Sequence, residues 1–118
     1  MTMEKNEFFI YQFPDHIQQR INAGMGCSSS IGRGWLQIIL DMDKKLNEIS
    51  SDYRIDQIKE KFGLLRYYIS GIDYDKADEI IREAAAKSGK ICEMCGKPAK
   101  LRNNEGWYQT LCDKHSNE

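Results

Sequence analysis

Cys92-Glu93-Met94-Cys95-Gly96 and Cys112-Asp113-Lys114-His115 are two ligand pairs, with 16 residues between Cys95 and Cys112. A Cys-x-x-Cys pair bends the chain so that both sulfurs face one ion, and Gly96 suits the tight turn of a zinc knuckle. Between the pairs, residues 99–102 and 107–111 read as short strands joined by a turn at Asn103-Asn104-Glu105-Gly106. A hairpin of that size brings its own ends together, and both ligand pairs with them. The spacing predicts one tetrahedral Zn²⁺ held by Cys92, Cys95, Cys112 and His115. Four protein ligands leave no open position, so the ion is structural. One imidazole beside three thiols fits zinc better than an iron–sulfur cluster. A 27-residue tail with no core of its own needs the roughly 10 kcal/mol that such a site supplies.

Upstream of the tail, residues 73–87 read as a helix. Asp73 and Asp75 charge its start, Ala77, Ile80, Ile81 and Ala84 form its apolar stripe, and Lys87 and Gly89 close it. Before it, Lys61-Phe62-Gly63 looks like a turn, so residues 54–59 and 64–70 are expected to pair as a β-hairpin. Trp35 opens the strongest helical pattern. Trp35, Ile38, Ile39, Met42, Leu46 and Ile49 share one stripe, with Asp41, Asp43, Lys44, Lys45 and Glu48 on the wet side. Trp35 is expected to be buried near Ile39 and against the strand at 64–69. Residues 22–34 form a glycine-rich loop, and Pro14-Asp15 opens a short helix with Phe13, Ile17 and Ile21 on one face. Residues 8–13 read as a short strand or an extended arm.

The sum is a small α+β domain with two main helices, a β-hairpin and a C-terminal zinc-binding hairpin of knuckle or ribbon type. Residues 1–90 form the α+β core and 91–118 the zinc hairpin packed on it, as one structural unit. The 118-residue length makes one domain the default. Hydrophobic residues at 41% argue against disorder, and no run approaches the ~18 apolar residues of a membrane span. Lys plus Arg total 17 against 18 Asp plus Glu, and the resulting charge of −1 excludes a broadly basic nucleic-acid binder. The charged N-terminus lacks a signal-peptide core, so a cytoplasmic location is expected.

Three other features compete for a role. The loop Gly24–Gly34 precedes a helix but lacks the Gly-Lys-Ser/Thr of a phosphate loop, and is expected to be a connector. Cys27 has only His16 as a free imidazole base, because His115 is committed to metal, so an idle thiol is expected and no enzyme. Lys59, Lys61, Arg66, Lys97, Lys100 and Arg102 interleave with Tyr67, Tyr68, Trp107 and Tyr108. Cations beside stacking aromatics suit single-stranded nucleic acid, with Lys59, Lys61, Arg66, Lys97, Lys100, Arg102, Trp107 and Tyr108 as the contact set. The simpler expectation is strand alternation, with aromatics facing the core and cations facing solvent. Asp73, Asp75, Asp78, Glu79 and Glu83 give the later helix an acidic face.

Four strings carry a resemblance: Gly34-Trp35 at a helix start, Gln57-Ile58-Lys59-Glu60-Lys61-Phe62-Gly63-Leu64-Leu65-Arg66-Tyr67-Tyr68, Cys92-Glu93-Met94-Cys95-Gly96, and Gly106-Trp107-Tyr108-Gln109-Thr110-Leu111-Cys112-Asp113-Lys114-His115. Together they resemble a widespread family of small uncharacterised proteins of bacteria, phages and prophages, over residues 27–115. Members carry a compact Cys-Gly-x-Gly-Trp element before the long helix. Here Ser28-Ser29-Ser30-Ile31-Gly32-Arg33 intervenes between Cys27 and Gly34-Trp35. The resemblance therefore assigns Cys27 no role. It implies a zinc-tailed cytoplasmic protein of mobile-element type, and no known activity. The expectation is a non-enzymatic factor that binds an unidentified host protein, in the manner of an inhibitor of a defence system. The alternative is a nucleic-acid-binding module.

Overall fold

The computed structural model describes residues 13–25 and 28–116. The expected strand or arm at 8–13 lies outside them except for Phe13, and Cys27 also lies outside. Helix α1 runs Asp15–Asn22, a 3₁₀ turn runs Arg33–Trp35, and α2 runs Leu36–Ile49. The hairpin β1 (Arg54–Lys61) and β2 (Leu64–Ser70) follows, then α3 (Tyr74–Ser88). The tail holds the hairpin β3 (Lys100–Asn104) and β4 (Trp107–Leu111), then the short helix α4 (Asp113–Ser116). Among the described residues, two antiparallel two-stranded sheets and four helices make the fold α+β, as the patterning implied.

Both hairpins turn in two residues. Phe62 and Gly63 sit at φ 53° and 82°, Glu105 and Gly106 at 55° and 88°. Positive φ at both central residues is the mark of the I′ turn, whose twist matches that of paired strands. The tight turns extend β1 to Lys61 and β3 to Asn104, beyond the expected ends. Asp73 caps α3 through a 3.0 Å bond accepted from the Asp75 amide.

The first hairpin is the floor of the core. Ile55, Ile58, Leu65 and Tyr67 are buried, with α1 packed on β1, α3 on β2 and α2 on α3. Trp35, Ile39, Leu46, Ile17 and Ile31 are fully buried in the same cluster, so Trp35 is buried as the stripe implied. Both sheet edges are partly covered. The Ser30 amide donates to the Ile58 carbonyl at 3.0 Å, and the Ile58 amide donates to Ser29 Oγ at 3.0 Å. On the other edge the Leu65 amide donates to Ser88 Oγ at 2.9 Å. Unpaired strand edges invite foreign strands, and these bonds occupy the middle of one edge and the start of the other.

Asp43 corrects the expected wet side of α2. It is buried, at 5% exposure. Arg20 Nε donates to its Oδ1 at 2.8 Å, and the Tyr53 hydroxyl donates to the same oxygen. The remaining Arg20 nitrogens reach Ser51 O, Tyr53 O and Asn47 Oδ1, and the guanidinium lies 4.0 Å from the Tyr53 ring centre. The Tyr53 and Tyr67 hydroxyls meet at 2.8 Å. A buried carboxylate is tolerable because each of its partners is engaged in turn.

Burial pushes both phenols, Tyr53 and Tyr67, well above the ordinary range. The charge that a neighbouring phenolate or Asp43 would oppose pushes Tyr53 further in the same direction. The folded state thus holds protons that the unfolded chain releases near pH 10. Stability from this pair is complete below pH ~10 and falls as pH rises beyond it. Titration followed at 295 nm should show these two of the six tyrosines ionising only together with alkaline unfolding. All six ionising in the folded protein would contradict this.

Candidate metal centre

Cys92 and Cys95 sit in the loop after Ile91, Cys112 at the end of β4, and His115 one turn later on α4. This last helix was not expected from the sequence. It is nucleated where β4 stops: the Ser116 amide donates to the Cys112 carbonyl at 2.9 Å, which places the i and i+3 side chains on one side. Arg102 holds the turn, donating from Nε to Leu111 O at 3.1 Å and from its terminal nitrogen to Asp113 Oδ1 at 2.7 Å. That guanidinium keeps the Asp113 carboxyl below its usual range.

The four ligand atoms lie within 4.8 Å of one another. Cys95 Sγ is 3.7 Å from Cys112 Sγ. His115 Nδ1 is 3.6 Å from Cys92 Sγ and 3.3 Å from Cys112 Sγ. A tetrahedron with Zn–S of about 2.3 Å and Zn–N of about 2.0 Å has S···S edges near 3.8 Å and S···N edges near 3.5 Å. The donor set therefore fits a single structural Zn²⁺. The Cys112 thiol is already pulled down to about 6, chiefly by the His115 backbone amide, so its thiolate is ready for a cation.

The centre is fastened to the core at two points. At one, Gly34 lies directly on the knuckle: a Cβ there would stand 2.2 Å from Cys92 O and 2.8 Å from the Cys95 amide nitrogen. Its own amide donates to Glu93 O at 2.8 Å, and Trp35 Nε1 donates to Ile91 O at 2.8 Å. Only glycine allows that approach. Glu93, unremarked in the sequence, accepts from the Gly32 amide at 3.0 Å. Burial pushes its carboxyl up to about 7, with the Gly32 amide pulling the other way and Glu60 adding to the rise. At the second point, Thr110 Oγ1 donates to Gly63 O at 2.5 Å, so the zinc hairpin grips the turn of the first hairpin.

The eight residues expected to contact nucleic acid do not converge. Lys59 and Arg66 are cross-strand partners on the outer face of β1–β2, where Lys61 and Tyr68 also lie. Arg102 is engaged by Asp113. Register places Trp107 on the face of β3–β4 that carries Lys100 and Arg102, and Tyr108 on the face that carries Leu101. Lys97 is exposed beside the knuckle.

The expected alternation of buried aromatics and exposed cations is also corrected. Tyr67 is buried, but Tyr68, Trp107 and Tyr108 are exposed. They share the surface with Phe62 and Leu101, neither of which was singled out. Phe62 meets Tyr108 edge to face, with ring centres 6.1 Å apart, and Lys61 Nζ lies 5.7 Å from the Phe62 ring centre. A five-residue strand carrying two consecutive exposed aromatics was the available signal, because alternation cannot bury both. Among the described residues no helix is long and apolar enough to cross a membrane. No family model, curated protein or solved structure matches the chain.

Proposed function

We propose that this protein is a non-enzymatic binding factor of phage or mobile-element type that docks on a host protein in the cytoplasm and inhibits it, a defence protein being the expected kind of target. The mobile-element origin rests on the resemblance of the hairpin and tail strings. The docking rests on Phe62. That side chain is 61% exposed and sits at φ 53°, a conformation that favours Asn or Gly over an aromatic residue. A strained, solvent-facing Phe weakens the isolated fold, and contact with a partner explains its presence. Beside it the exposed Leu101 and Tyr108 share one face of the second hairpin and complete an apolar patch at the joined tips, while Trp107 is exposed on that hairpin's opposite face. The metal centre supports this role, since Cys112 lies two residues after Thr110, whose bond to Gly63 joins the tips.

Single-stranded nucleic acid is the alternative partner. One observation favours it: Lys59 Nζ lies 5.8 Å from the Tyr68 ring centre, with Arg66 and Lys61 on the same outer strand face. Affinity capture from host cells, with and without nuclease, separates the two. A protein that survives nuclease and is lost with Phe62→Asn supports docking on a protein. Recovery of nucleic acid alone, released by salt, supports the alternative. Phe62→Asn should act with opposite signs, abolishing capture while raising stability by about 1 kcal/mol through relief of the turn. Thermal melting of the purified variant reads the second effect, and a lower midpoint would contradict it.

A further inference from the structure

We propose that Cys95 is an oxidation site at which a hydroperoxide attacks, with Cys112 as the thiolate that closes a disulfide onto it and opens the metal centre. The three tail cysteines differ sharply in access. Cys92 is fully buried and Cys112 nearly so, whereas Cys95 is exposed. Cys95 also stands in the wall of a cleft of about 590 Å³ between the start of α2 and the end of α3, lined by Arg33, Leu36, Ile38, Lys87 and Ile91. Of the three, Cys95 is thus the residue most open to a small oxidant.

The chemistry balances with one hydroperoxide. The Cys95 thiolate attacks the outer peroxide oxygen, forming an S–O bond as the O–O bond breaks and hydroxide (or alkoxide) departs. Arg33 and Lys87 outweigh Asp41 in the lining of the cleft where that anion is released. The Cys95 sulfenic acid then meets the Cys112 thiolate, whose sulfur is 3.7 Å away. An S–S bond forms at about 2.05 Å, the S–O bond breaks, and the second hydroxide leaves as water after protonation. Two thiolates have lost two electrons and the peroxide has gained them.

Two of four ligands are then gone, and Cys92 with His115 cannot close a tetrahedron. The end of β4 is released, and with it the Thr110 bond to Gly63 that joins the two hairpin tips. The modification stands on the metal centre alone and does not depend on what the tips bind.

The test uses the full chain, zinc-loaded, with Cys27→Ser so that the tail thiols are the only ones. Hydrogen peroxide is added, released zinc is followed with a chromogenic chelator, and the products are mapped by mass spectrometry. The expected result is one zinc released per disulfide, the disulfide linking Cys95 to Cys112, and recovery of binding after dithiothreitol and added zinc. Retention of zinc, a Cys92–Cys95 disulfide, or sulfinic acid at Cys95 without any disulfide would overturn the assignment. Cys95→His preserves a fourth ligand and should keep its zinc at peroxide levels that empty the parent. Equal release would overturn the role of Cys95. If that variant does not load zinc, the map of the parent decides by itself.

Discussion

Cys112→Ser should leave the protein without its metal and the tail without a fold. Zinc sites of this type contribute on the order of 10 kcal/mol, comparable to a small domain's whole margin of stability. The tail has little else: its buried cluster is Cys92, Leu111 and Cys112, with Met94 and Ala99 against it. The separate cluster of fifteen buried residues that includes Trp35 and Tyr67 persists, so α2, α3 and the first hairpin should keep their secondary structure. Elemental analysis should give near-zero zinc, and amide exchange should show β3, β4 and α4 unprotected while α2 stays protected. A variant that still carries one zinc per chain would refute the ligand assignment. Collapse of α2 together with the tail would refute the independence of the two clusters.

Trp35→Ala should lower stability by about 3–5 kcal/mol, as for other fully buried aromatics. The truncation opens a cavity in the main buried cluster, and it also removes the donor to the Ile91 carbonyl that Trp35 Nε1 satisfies. Loss of a partly buried hydrogen bond adds about 0.5–1.5 kcal/mol. Trp35→Phe separates the two effects, because it keeps most of the apolar volume and loses only the donor. Denaturant midpoints should therefore rank wild type above Trp35→Phe above Trp35→Ala. Equal midpoints for Phe and wild type would show that the bond to Ile91 adds nothing.

Much of the fold was legible because its signals were local. Ligand spacing, the Trp35 stripe, the Asp73 cap and the turn at Phe62-Gly63 each lie within a few residues of the structure they specify. The polar interior was not legible, because it is made of distant partners. Asp43 occupies a stripe position between Ile39 and Leu46, and could be recognised as buried only by knowing that Arg20 and Tyr53 arrive from other elements. Glu93 is similar: its neighbours Cys92 and Cys95 announce a metal, while its own partner is the Gly32 amide, 61 residues earlier. The metal site was read completely and its surroundings were not. Arg102 looked like a phosphate contact until α4 brought Asp113 to it. The exposed aromatics of β4 escaped because alternation assumes one buried face. At its tip the zinc hairpin has none, since its inner face meets only the turn at Gly63.

The bonds that fasten the tail have a consequence in time. Trp35 to Ile91 spans 56 residues and Gly63 to Thr110 spans 47, so both join parts of the chain made far apart during synthesis. The first hairpin and its helices emerge from the ribosome with Trp35 and Gly63 still awaiting their partners. The Trp35 bond can close once Ile91 has been made, whereas the Gly63 bond waits for Thr110 and for the ion that Cys112 and His115 complete. Long loops close at an entropic cost that local structure does not bear, and non-local contacts form late. Metal supply thus sets the pace of the last folding step, and a nascent chain in zinc-poor medium should linger with its core formed and its tail open to proteases.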